Sequence, residues 1–227
     1  MGTLYLVRHG QASFGADNYD QLSELGQRQS ARLGEYFASR GIAFDAVITG
    51  TLQRQVDTFA GIARGMNLPA AVRDARRACA ELNEYDSEAV IRTVHPQPLA
   101  KPDTPELYRN HFRILRDGLT QWMAGRTAPA GMPAYADWVR GITGVLAMMR
   151  EQHSGKNVLV VSSGGPISTV VGQVLGTPPE ATIELNLRIR NSSVSELAFN
   201  PKRHMLVTYN TLPHLDDAVY RDWVTFA

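Results

Sequence analysis

Three largely apolar runs, at residues 3–7, 44–49 and 158–162, each stop at a polar, glycine-containing turn that leads into a helical pattern. Buried parallel strands read as near-continuous Val/Ile/Leu runs, and the helix after each strand must cross back over the sheet. The first run, Thr3-Leu4-Tyr5-Leu6-Val7, stops at Arg8-His9-Gly10. The second stops at Thr49-Gly50-Thr51-Leu52-Gln53-Arg54, and the third at Ser162-Ser163-Gly164-Gly165. If the strands are parallel neighbours, the three turns share the carboxyl edge of one sheet, where open α/β folds bind ligands. The expected fold class is therefore α/β: a three-layer α/β/α sandwich with a mostly parallel central sheet and helices on both faces.

Composition narrows the function classes. A chain of 227 residues, 44% hydrophobic and 20% charged, is ordinary for a globular protein and long enough for one large domain. A formal net charge of +1 gives no general electrostatic case for nucleic acid or an anionic membrane. The single cysteine, Cys79, leaves no internal disulfide and no metal cluster, so no metal or other cofactor is expected. No basic segment with an apolar core follows Met1, and no apolar run approaches a membrane span, so a cytoplasmic location is expected.

Between the three turns the chain alternates helix and loop. Residues 12–21 form a polar loop behind the first strand end. Ser23 caps a helix carrying Leu25, Leu33, Tyr36 and Phe37, and Gly41 ends it. A short strand is expected over 68–73, an irregular polar stretch over 78–86, and a helix capped by Ser87 that runs through Arg92. Pro96, Pro98 and Pro102 then lead into a helical insertion at about 95–152, within a single domain spanning 1–227. Thr104-Pro105 starts its first helix, with an apolar face that includes Leu107, Phe112, Leu115 and Trp122, and a second helix covers 135–152. An apolar helix over 167–175 and a closing hairpin, 194–199 with 205–209 turned at Asn200-Pro201, complete the chain.

The polar turns carry reactive groups. Arginine grips a phosphate or carboxylate with paired hydrogen bonds, and histidine acts as base or nucleophile near neutral pH. Free N–H groups at a glycine-rich helix start favour an anion. Arg8, Arg54, His9 and the turn at Gly164 would together suit a phosphoryl group. A serine hydrolase built on Ser163 would need a Gly-x-Ser-x-Gly elbow, which the chain lacks.

Five segments, taken together and in order, resemble the histidine phosphatase superfamily, also called phosphoglycerate-mutase-like. They are Leu6-Val7-Arg8-His9-Gly10-Gln11, Leu22-Ser23-Glu24-Leu25-Gly26-Gln27-Arg28-Gln29, Thr51-Leu52-Gln53-Arg54-Gln55-Val56-Asp57-Thr58, Leu82-Asn83-Glu84, and Val160-Val161-Ser162-Ser163-Gly164-Gly165-Pro166-Ile167. The resemblance implies that His9 accepts the phosphoryl group as a phosphohistidine and that Arg8 and Arg54 hold its oxygens. It implies that Glu84 protonates the leaving oxygen, with Glu81 and Asp86 as neighbouring rivals. The family pattern at the third turn usually reads Ser-His-Gly-Gly, so Ser163 stands where a second active-site histidine is expected. Ser163 and the backbone of Gly164 would then assist in binding phosphate, and Ser163→His is expected to raise turnover or phosphate affinity. The implied activity is metal-independent hydrolysis of a phosphomonoester, carried by a small phosphorylated substrate or a phosphoprotein. The alternatives are a phosphate-binding or regulatory protein with little turnover and, less favoured, a phosphoglycerate mutase.

Overall fold

The computed structural model describes residues 1–13, 20–100 and 104–226. In chain order the elements are β1 (Gly2–Arg8), α1 (Glu24–Ser39), β2 (Ala46–Thr49), α2 (Gln53–Gly65), α3 (Ala70–Asp74), β3 (Arg77–Ala78), α4 (Ser87–Arg92), α5 (Pro105–Met123), α6 (Tyr135–Gln152), β4 (Asn157–Ser162), α7 (Gly164–Leu175), α8 (Pro179–Arg188), β5 (Val194–Phe199) and β6 (His204–Thr211). The strands form one sheet in the order β3-β2-β4-β1-β5-β6. β1, β2, β3 and β4 are mutually parallel, while β5 and β6 run antiparallel along the β1 edge.

Alternation along β4 creates the two faces of the sheet. Val158 and Val160 pack with Leu4, Leu6 and Ile48 against Ile142 and Met149 of α6 and Ile167 of α7. Leu159 and Val161 point the other way, with Val7 and Val47, against Leu33 and Phe37 of α1 and Phe59 and Ile62 of α2. This is the expected α/β/α sandwich. Each fully buried aliphatic side chain contributes about 1.5–3 kcal/mol, and truncating one such as Leu159 to Ala costs about 2–5 kcal/mol. A third apolar cluster, including Val90, Leu115, Trp122 and Ile183, joins α4, α5 and α8 beside the sheet. Because β1 and β4 are adjacent and the helices after them cover opposite faces, the β1–β4 boundary is a topological switch point.

Helix signals in the sequence mostly hold. Ser23 accepts from Gly26 N at 3.1 Å, and Thr104 caps α5 through Leu107 N at 3.2 Å. Gly41, at φ 64°, follows the end of α1. The β5–β6 turn closes on Asn200, whose Oδ1 accepts from Lys202 N and Arg203 N. Gly10 and Gly26 belong to one close approach: a Cβ on Gly10 would lie 2.5 Å from Gly26 O, and one on Gly26 would lie 2.1 Å from Gln11 O. The start of α1 can therefore press onto the turn that carries His9.

Other expectations are corrected. The strand expected over 68–73 is instead the helix α3, because Pro69 precedes Ala70-Ala71, strong helix formers. The place beside β2 is taken by Arg77–Ala78. The cap of α4 is Asp86, which accepts from Ala89 N at 3.0 Å, one residue before the expected Ser87. The helix over 167–175 begins earlier, at Gly164, and α8 was not anticipated. The region expected to be a helical insertion holds α5 and α6. The greater part of the expected loop at 12–21, residues 14–19, lies outside the described residues, as does Pro102. Among the described residues no helix is long and apolar enough to cross a membrane.

Two buried histidines make stability depend on pH. Burial and Arg32 hold the pKa of His214 at about 3, and burial and Arg150 hold that of His204 at about 4. Both lie below the unfolded value near 6.5, so the unfolded chain binds more protons on acidification. Their stabilisation is complete above the unfolded value and is lost as pH falls from there towards the folded ones. At about pH 5 each costs up to about 2 kcal/mol, which lowers Tm by roughly 5–15 °C relative to about pH 7. Calorimetric scans across that interval check this, and a constant Tm would contradict the neutral burial of both rings.

Candidate active site

The carboxyl edge of β1 delivers Arg8 and His9, which are 5% and 3% exposed. His9 Nδ1 lies 2.7 Å from Gly10 O. A carbonyl oxygen only accepts, so Nδ1 carries the proton and Nε2 keeps its lone pair. Arg54 Nε donates to that Nε2 at 3.3 Å. Arg54 stands in the first turn of α2, and its Nη1 is paired with Asp20 at 2.8 Å. The same carboxylate accepts from Gln53 N at 2.9 Å, so Asp20 caps α2 and anchors its arginine. Arg8 Nη1 donates to Ile189 O at 2.5 Å.

Glu84 arrives from a 3-10 turn at Ala80–Leu82 and is fixed from two sides. Both its carboxylate oxygens accept from Gly165 N, at 3.1 Å each. A Cβ on Gly165 would sit 2.2 Å from Glu84 Oε1, so only glycine permits this bond. Upstream, Asn83 Oδ1 accepts from Thr51 N at 2.7 Å, and Leu82 O accepts from Ser162 Oγ at 2.7 Å and Gln55 Nε2 at 2.9 Å. The loop bearing Glu84 is thus tied to both the second and the third polar turn. Its rivals are placed differently: Asp86 also lines the cavity but caps α4 through Ala89 N, and Glu81 lies against Gly141 of α6.

Arg8, His9, Arg54 and Glu84 line one cavity of about 420 Å³. Tyr108, His111, Phe112, Leu115 and Leu187 form much of its outer wall. Burial, reinforced by Arg8 and Arg54, pushes His9 well below the ordinary histidine value, so the ring is neutral near neutral pH. Burial raises the Glu84 carboxyl, outweighing the Gly165 amide and the two arginines, which pull it down. A neutral imidazole thus shares the cavity with a carboxyl that holds its proton to a higher pH than usual.

Ser163 and Gly164 do not join these residues on the cavity wall. Ser163 is fully buried, and its Oγ accepts from Gln55 Nε2 at 2.9 Å. The Gln55 amide can point only one way: its Oε1 meets Leu52 N–H at 3.3 Å, and its Nε2 meets the Leu82 carbonyl. Ser163 Oγ accepts from Gln55 and keeps its own O–H, while the Gly165 amide is occupied by Glu84.

The profile of the histidine phosphatase superfamily (branch 1) matches residues 4–97 and 101–212. The chain belongs to this superfamily. It is 24% identical over 219 residues to the mitochondrial serine/threonine-protein phosphatase Pgam5 of Drosophila ananassae, covering 91% of this chain and 61% of that protein. It is 27% identical over 200 residues to a bifunctional protein of Mycobacterium tuberculosis, covering 85% of this chain and 50% of the relative. The chain therefore spans about half to three-fifths of the length of these curated relatives. Among solved structures, a phosphoserine phosphatase mutant from Entamoeba histolytica superposes with TM-score 0.66 at 15% identity, over 95% of this chain and all of the other. A mycobacterial glucosyl-3-phosphoglycerate phosphatase gives TM-score 0.64 at 20% identity, over 92% and 98%. These structures share the fold.

Within this histidine phosphatase fold, several site residues carried no signal in the sequence. Asp20 sits in a polar loop with nothing to mark it among its neighbours, and its partner Arg54 is 34 residues away. Gln55 reads as one more polar helix residue until Ser163 and Leu82 surround it. His111, left unassigned in the sequence, lines the outer cavity from α5. Asn186, also on the wall, donates to Tyr85 Oη at 2.8 Å.

Proposed function

We propose that this chain is a metal-independent phosphomonoesterase that works through a phosphohistidine on His9. The observation that carries this reading is the His9 tautomer: the Gly10 carbonyl takes the Nδ1 proton and leaves the Nε2 lone pair beside Arg54. In the first step Nε2 attacks phosphorus, an N–P bond forms and the bond to the leaving oxygen breaks. Glu84 gives its proton to that oxygen, releasing an alcohol. The ring is then cationic, and its Nδ1–H stays on Gly10 O, which stabilises the charge. Arg8 and Arg54 offset the charge on the equatorial phosphoryl oxygens. In the second step Glu84, now a carboxylate, takes a proton from water while the water oxygen attacks phosphorus. The N–P bond breaks, phosphate leaves, and His9 and Glu84 return to their starting states. Relatives and structural neighbours named as phosphatases support this reading.

A second reading, phosphate binding with little turnover, is favoured by one observation. The Gly165 amide is spent on Glu84, and Ser163, whose Oγ accepts from Gln55, is not among the residues that line the cavity with the two arginines. A panel of phosphomonoesters assayed with excess chelator decides between them. Hydrolysis that survives chelation supports the enzyme. Calorimetric phosphate binding without hydrolysis selects the second reading, and hydrolysis lost to chelation removes metal independence.

The structure also changes the expectation for Ser163→His. The site is fully buried against Gln55, so the larger ring costs about 1–3 kcal/mol in overpacking and does not raise turnover. Shortening the neighbour in Ser163→His/Gln55→Ala restores room, and the double variant is expected to exceed the single one in both Tm and kcat. Melting and rate measurements on the pair check this.

A further inference from the structure

A second groove of about 340 Å³ abuts the active-site cavity and shares three wall residues with it, Tyr108, Phe112 and Leu187. Its remaining lining is entirely arginine: Arg109, Arg113 and Arg116 of α5 and Arg188 of α8. Positions 109, 113 and 116 fall on one helical face, so the stripe is built by the periodicity of α5 rather than by chance proximity of loops. Arg109 pairs with Glu106 at 2.6 Å, and Arg116 pairs with Glu184. Arg113 bonds only to the neutral Asn110, at 3.0 Å, and neither it nor Arg188 meets a carboxylate among the described residues. Two cations are therefore left uncompensated in a groove whose own lining holds no acid.

We infer that this groove docks acidic polypeptide, so that the substrates are phosphorylated polypeptides with acidic residues close to the phosphorylated side chain. The inference rests on the phosphatase reading above and names its substrate class. Among the described residues the only arginines lining the cavity are Arg8 and Arg54, which on the reading above serve the phosphoryl group, and no lysine lines it. A second anionic group on the substrate is therefore met outside the cavity, past the apolar rim of Tyr108, Phe112 and Leu187. At 1.5 Å per residue the stripe from Arg109 to Arg116 runs about 10 Å along the helix, the length of roughly three extended residues. A chain reaches from cavity to stripe. A compact metabolite filling the cavity does not.

The test compares two phosphopeptides, one with three glutamates beside the phosphoresidue and one with three glutamines, against an aryl phosphate as reference. The acidic peptide is expected to show about tenfold higher kcat/KM at about 50 mM salt, with most of that preference screened at about 500 mM. In R113E/R188E, both exposed positions, the ratio of acidic to neutral peptide is expected to fall to one or below. Equal rates for the two peptides in the wild type, or a preference that survives charge reversal, would overturn the groove assignment. If the wild type leaves the aryl phosphate intact, the phosphatase reading falls. Fluorescence anisotropy of the labelled acidic peptide then judges the groove alone, and loss of binding in R113E/R188E upholds it. Tighter binding of a single-stranded oligonucleotide than of the acidic peptide would also overturn it.

Discussion

His9→Ala eliminates turnover, by at least about four orders of magnitude, and eliminates acid-labile labelling of the protein by an aryl phosphate. The size follows from the part His9 plays. In the proposed mechanism its Nε2 supplies the bonding electrons in the first step, and nothing else among the described cavity-lining residues replaces an imidazole held against Gly10 O and Arg54. His111 also lines the cavity, from α5, but shows neither the Gly10 O contact nor the Arg54 bond that fix the His9 ring. Folding should survive the change, because truncation removes a ring whose hydrogen bonds are local or to Arg54. An alanine variant that labels like the wild type would remove His9 from the mechanism and leave the fold assignment untouched.

Glu84→Gln is the second large effect. Losing the general acid is expected to cost about 100- to 10,000-fold in kcat/KM for alkyl phosphates, whose leaving oxygen needs a proton. The loss should shrink for an aryl phosphate with a good leaving group, since protonation matters less there. The pH profile adds an independent readout. The proposed mechanism needs His9 deprotonated and Glu84 protonated. It falls on the acid side as His9 gains a proton, and the lowered His9 value moves that limb to lower pH than an ordinary histidine would give. It falls on the alkaline side as Glu84 loses its proton, and the raised Glu84 value moves that limb upward. Glu84→Gln should therefore flatten the alkaline limb and keep the acid one. An alkaline limb that persists in the glutamine variant would assign it to another group.

Much of this was legible in the chain because the informative residues sit next to strong punctuation. His9 follows β1 directly and Arg54 stands in the first turn of the helix after β2, so recognising each strand also locates the side chain near the sheet edge. Glu84 has no such neighbour: three carboxylates lie within six positions of one another, and only the resemblance favoured one of them. The structure supplies the physical reason, since Gly165 lies 81 residues away and offers the amide that holds it. Long-range pairing also hid Gln55, whose contact with Ser163 spans 108 residues. A pattern read along the chain can show that Ser163 is small and polar. It cannot show that the space beside it is already filled. The segment 68–73, where a strand is expected, is helical for a local reason, the helix preference of Ala70 and Ala71 directly after Pro69.

The switch point between β1 and β4 has a consequence for how activity is acquired. The proposed nucleophile His9 and the Arg54 that bonds it lie against α1 and α2, while the proposed acid Glu84 is held by the first turn of α7, on the other face of the sheet. A half-assembled chain with only one helical layer docked has either a nucleophile without its acid or an acid without its nucleophile. Catalysis is therefore a reporter of complete assembly. During refolding it should return in a single late phase, after the recovery of helical signal, and no partly folded species should hydrolyse phosphate esters.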